Sequence, residues 1–165
     1  MKKIVTSAAG LMLAAAVSLA GSLPDYKSLC GAMADLSGWK ASECEGMKAV
    51  NPMMGEIVTA ERSYERDGKR LDVSVLSGMQ AAMMWAPYSA GTMMESDKAL
   101  VRIEKIEGFT VGISYDKEEK SGGIVVQIAP NAVLVANFEK MGWKEALKMV
   151  EKLDWKRLKR EFEGR

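Results

Sequence analysis

Sulfur is the chemistry this sequence offers most of. It holds thirteen methionines in 165 residues, and eleven follow Ala20: Met33, Met47, Met53, Met54, Met79, Met83, Met84, Met93, Met94, Met141 and Met149. Thioethers are soft ligands, and in an oxidising compartment a chain with no histidine could use them to select Cu(I) or Ag(I). Met79 and Met83 fall four apart, on one helix face, and Trp85 could lend its ring to a bound cation. Against a metal site, neighbouring methionines on a helix point about 100° apart, and no MxxM or MxM spacing repeats. Methionine also fills irregular gaps in a core, being unbranched and flexible.

A third use fits residues 78–94 best. This stretch carries Met79, Met83, Met84, Met93 and Met94 with Trp85 and Tyr88, and no charge. Pro87 and Gly91 interrupt its periodicity, so complete burial is difficult to arrange. An adaptable apolar surface of this kind suits a hydrophobic ligand or a protein partner. That is the functional expectation; metal handling through Met79, Met83 and Trp85 is the alternative, and a helix that merely covers a sheet is the plain reading.

Catalysis finds little support in the residues, and no cofactor is expected. Without histidine the usual general base near neutral pH is missing. The only cysteines, Cys30 and Cys44, lie 14 apart, which fits neither a CxxC redox motif nor a zinc site. A disulfide is the expected pairing. Gly122-Gly123 falls in a polar hairpin loop rather than between a strand and a helix, so it is no phosphate loop. Asp67, Glu118 and Glu119 fall in turns, while Glu104 and Glu107 look solvent-side. The chain is therefore expected not to be an enzyme.

One basic series remains: Lys140, Lys144, Lys148, Lys152 and Lys156 at intervals of four, followed by Arg160. Four residues turn a helix 400°, so the row drifts about 40° per step and spirals instead of forming one flat face. A solvated helix face is the expectation. Weak attachment to anionic headgroups or cell-wall polymer through Lys144, Lys148, Lys152, Lys156 and Arg160 is the alternative.

The chain begins Met1, Lys2, Lys3 and continues with an uncharged apolar run from Ile4 to Ala20. That is a secretory signal, with Ser18-Leu19-Ala20 placing small residues before a cut after Ala20. A periplasmic or secreted protein follows, its only membrane contact being the signal peptide, and residues 21–165 form one domain. Across the whole chain 23 basic residues face 22 acidic ones. Without Lys2 and Lys3 the balance becomes slightly negative, unlike a nucleic-acid binder.

The elements that must position these residues are legible in outline. Leu23-Pro24-Asp25 reads as a helix start, with apolar spacing at Tyr26, Leu29, Cys30, Met33 and Leu36 and a stop at Gly38. Residues 45–54 read as loop. Strands are expected at 56–66 and 69–76, joined by Asp67-Gly68, a pair suited to the type I′ turn. A helix follows from about 78 to 86. Further strands are expected at 99–106, 109–115, 124–129 and 132–137, with 116–123 as a polar loop between them. Helix is expected from Phe138 onward, with a second start at Asp154 ahead of Trp155, Leu158 and Phe162. The sum is an α+β fold: a mainly antiparallel sheet of about six strands with N-terminal, middle and C-terminal helices packed on it.

Overall fold

Alternation of apolar and polar side chains decides which face of each strand is buried, and here it writes two different faces onto one sheet. A computed structural model describes residues 22–164; the expected signal peptide and cleavage point lie outside them. In chain order the elements are α1 (Tyr26–Cys30), β1 (Lys40–Ala41), β2 (Glu45–Asn51), β3 (Gly55–Arg66), β4 (Lys69–Ser77), α2 (Met79–Ser89), β5 (Met94–Glu95), β6 (Ala99–Ile106), β7 (Phe109–Asp116), β8 (Ser121–Ala129), β9 (Ala132–Glu139), α3 (Trp143–Val150) and α4 (Trp155–Glu163). The nine strands form one antiparallel sheet in the order β1-β3-β4-β9-β8-β7-β6-β5, with β2 also pairing β3.

The first face of the sheet holds the main core. Val58, Ala60 and Tyr64 of β3, Leu71, Val73 and Val75 of β4, and Leu134, Ala136 and Phe138 of β9 point into it. The segment around α1 closes it with Leu29, Met33 and Leu36; α3 and α4 add Ala146, Leu147, Val150, Trp155 and Leu158. Trp155 meets Phe109 edge-on at 5.6 Å, and its indole N–H donates to the Val150 carbonyl at 2.9 Å. Asp154 caps α4, its carboxylate accepting from the Arg157 N–H. The second face carries the smaller cluster of Val125, Val133 and Val135 under Ala81 and Tyr88 of α2.

The mixed α+β class and the antiparallel pairing agree with the sequence, but the strand count does not. β1, β2 and β5 raise it from about six to nine. All three are edge pieces whose identity comes from main-chain pairing, not from a buried face. β2 in particular was expected as loop; it pairs with β3 from Glu45↔Glu61 to Asn51↔Gly55, and no residue in it is fully buried.

Helix bounds shift as well. The early helix is only Tyr26–Cys30. Beyond it, side chains and amides from elsewhere occupy the carbonyls a longer helix would have used: Arg157 on Gly31, the Asp154 N–H on Ala32, Arg62 on Met33, and the Tyr64 hydroxyl on Ala34. The middle helix continues through Pro87 to Ser89, because a proline in the last turn removes a single hydrogen bond. β9 extends to Glu139, so helix begins at Trp143 rather than at Phe138. Gly122-Gly123 lies within β8, which starts at Ser121, not in a loop. The Asp67-Gly68 turn has φ of 51° and 76°, the doubly positive geometry its sequence suits.

Cys30 and Cys44 are bonded, with their Cα atoms 5.7 Å apart. The bridge ties α1 to the start of β2, at the edge of the sheet. Closing a loop of this length contributes about 3 kcal/mol in the chain-entropy view. Replacing both cysteines by serine is expected to lower the unfolding free energy by about that amount, read from the urea midpoint. An unchanged midpoint would mean that the contacts of α1 with β2 and β3 suffice alone.

Candidate functional site

The sequence singled out residues 78–94, and the structure lays them across the second face of the sheet. Gly78, at φ 68°, turns the chain out of β4, its N–H donating to the Asn131 carbonyl at 2.9 Å. The helix that follows presses Ala81 and Tyr88 onto the sheet, with Trp85 half-buried between them. Trp85 and Tyr88 touch, their ring centres 5.6 Å apart. Tyr88 sits directly over Gly112 of β7: a Cβ added there would lie 2.4 Å from the Tyr88 ring. A missing side chain on the sheet thus makes the seat for the helix.

The other side of α2 faces outward. Met79, Met83 and Met84 are exposed, and so are Met93 and Met94, which lead into and form β5. Met94 is the cross-strand partner of Val101, a residue packed against the second-face cluster, which places it on the face that carries α2. The sequence reading missed one part of this surface. Met47 is opposite Thr59, which is itself opposite Leu76; side chains directly opposite share a face, so Met47 also belongs to the second face. Met53 and Met54, at the tip of the β2–β3 hairpin, are exposed too. The adjacent Met53-Met54 pair was visible in the sequence, but only the pairing of β2 with β3 makes it the tip of a hairpin.

Among the described residues, every large apolar side chain that is exposed, apart from Val50, is a methionine. These eight are 43% to 95% exposed. Met33 and Met141 are fully buried and Met149 is partly buried, so the core-filling use of methionine is real but minor. Met79 and Met83 point outward while Trp85 is turned toward the sheet. The three proposed metal-site residues are therefore on different sides of one helix.

The basic series is divided between two helices. Lys144 and Lys148 lie on α3, Lys156 and Arg160 on α4, and Lys152 falls in the turn between them. Lys144 stands over the Trp143 ring and Lys156 pairs with Glu107 at 3.1 Å. The spiral expected of one continuous helix is replaced by two short runs.

Shifted acid–base groups occur where side chains pin strands together. The Lys48 ammonium, 2.7 Å away, and the Leu23 N–H hold the Glu56 carboxyl below its usual range. Burial works against ionisation of Asp72, yet hydrogen bonds from Arg70 and the Ser63 hydroxyl outweigh it and hold it low. Burial pushes the Tyr64 hydroxyl up. Among the described residues, no group of three or more acidic or cysteine side chains is placed to hold a metal ion. No described helix is long and apolar enough to cross a membrane.

Compared with known protein families, with curated proteins and with solved structures, the chain has no match.

The seating of α2 can be tested directly. Gly112→Ala is expected to displace the Tyr88 ring and to cost about 1–3 kcal/mol, as overpacking usually does. A lower urea midpoint with reduced near-ultraviolet dichroism from the Trp85–Tyr88 contact is the expected result; a variant as stable as the parent would place the helix seat elsewhere.

Proposed function

We propose that this is an exported, non-enzymatic binding protein that holds a partner through the methionine surface of α2 and the flanking strands. One observation carries this reading: the exposed large apolar residues are almost all of one type, and five of the eight methionines concerned fall in the uncharged segment 78–94. Leucine, isoleucine or phenylalanine would cover a sheet equally well. Methionine differs from them in flexibility and polarisability, which let one surface adapt to several shapes. Export is supported by the signal-like N-terminus and by the Cys30–Cys44 bond, which is compatible with an oxidising compartment.

The outward side of a helix is convex, whereas a small ligand is ordinarily enclosed in a concavity. Met79 and Met83 therefore favour the face of another macromolecule over a small apolar molecule. The contact would desolvate thioethers that water now reaches.

Nile red, a neutral dye that fluoresces on apolar surfaces, serves as a first probe. The mature protein is expected to bind it, and Met79→Gln with Met83→Gln to weaken binding about tenfold, the equivalent of roughly 1.4 kcal/mol of apolar burial. Treatment with dilute hydrogen peroxide is expected to give the same loss by converting the eight exposed thioethers to sulfoxides, while Met33 and Met141 stay unoxidised in peptide maps. Dye binding that ignores both changes would refute the reading.

A further inference from the structure

Register and charge together narrow the partner. Glu45 of β2 and Glu61 of β3 are direct cross-strand partners, and Glu61 is in turn opposite Ser74 of β4. They are two residues along from Met47 and Thr59, so by the alternation of strands they share the face that carries α2. Both carboxylates are exposed, and neither has an ion-pair partner among the described residues. Like charges directly opposite one another destabilise a strand pair. Nearby cations do not offset this one: Arg70 is held by Asp72 at 2.7 Å and approaches Glu65. Arg62, next in sequence to Glu61, is turned to the other face, where it bonds the Met33 carbonyl and Asp35.

We propose that the second face docks a cationic amphipathic segment of a partner protein. Its apolar stripe would lie on Met79, Met83 and Met47, and its lysine or arginine side chains would reach the Glu45–Glu61 pair. The inference rests on the binding role proposed above and adds the chemistry of the partner. An apolar surface with an unmatched acidic flank complements a basic amphipathic helix: soft sulfur takes the apolar side chains, and a cation between two facing carboxylates relieves their repulsion. The lysines of α3 and α4 belong to helices on the opposite face; on the second face itself, Lys40 of β1 lies opposite Glu65, and Lys105 of β6 lies toward the far edge of the sheet.

The test uses the mature, disulfide-bonded protein and two fluorescent amphipathic peptides of the same length, one of leucine and lysine, one of leucine and glutamate. Anisotropy titrations are expected to show binding of the lysine peptide, weakening as salt is raised, and little binding of the glutamate peptide. Glu45→Gln with Glu61→Gln is expected to weaken the lysine peptide about tenfold and to remove most of the salt dependence, with Nile red binding unchanged. The control Glu118→Gln with Glu119→Gln, in the β7–β8 turn, is expected to leave the affinity as it was. Equal affinity for both peptides, or equal losses from the two pairs of substitutions, overturns the cationic partner. If Nile red binding still depends on Met79 and Met83 in that case, the binding role survives; if neither dye nor peptide binds, both fail.

Discussion

A sheet has two faces, and this chain has too few helices to cover both equally. The segment around α1 joins α3 and α4 on the first face, where they bury a continuous core from Leu29 to Leu158. The second face receives α2 alone. Its cluster is correspondingly small, three valines beneath Ala81 and Tyr88 with partly buried neighbours. An eleven-residue helix spans only about 16 Å, whereas six central strands about 4.8 Å apart extend well beyond that. Water must reach part of this side, and the large apolar side chains that α2 and β5 expose to it are methionines. The imbalance between the faces is what turns a stretch of apolar sequence into an exposed surface.

The parts of this fold that were readable in the sequence are those with a local cause. Asp67-Gly68 names its own turn, because both positions need positive φ, and the alternation Leu71, Val73, Val75 names the buried face of β4. Asp154 announces α4 for the same kind of reason, a side-chain acceptor for an amide with no partner inside the helix. Cys30 and Cys44 were legible from composition alone, since no other thiol or histidine was present to compete. What stayed hidden has a distant cause. β2 exists because β3 is twelve residues long and offers an open edge, and nothing within Glu45–Asn51 records that. The early helix stops at Cys30 because groups more than a hundred residues away, Asp154 and Arg157, take up carbonyls at Ala32 and Gly31.

The candidate site divides along the same line. Its helical part was legible: a charge-free, methionine-rich, proline-broken run is difficult to bury, and most of it is not buried. Its strand part was not, because the side on which Met47, Glu45 and Glu61 stand depends on register across three strands. A slip of one residue between β2 and β3 would send Met47 to the first face, beside Val58, take Glu45 with it, and leave Glu61 alone on the second face. Ser77 fixes the second of these registers, that of β3 on β4. Buried at the end of β4, its hydroxyl accepts from the Val58 N–H at 2.9 Å and donates to the Val58 carbonyl at 3.1 Å, both bonds specific to one register.

Glycine and methionine then act as complementary halves of one arrangement. Gly112 lowers the sheet surface so that Tyr88 can lie flat on it, fixing α2 at close range; any larger residue would lift the helix. With the inner side held by Ala81, Trp85 and Tyr88, the outer side is free of any packing duty, and its side chains need not be rigid. Leucine or isoleucine at Met79 or Met83 would present branched, less adjustable apolar surface to water at similar hydrophobic cost. A rigid seat beneath a soft surface separates two requirements that usually conflict: folding is specified by the few residues that touch the sheet, and the proposed partner would be met by residues on which folding does not depend. Substitutions on the outer side would therefore act on the proposed recognition with little effect on stability, and substitutions at the seat would act on both.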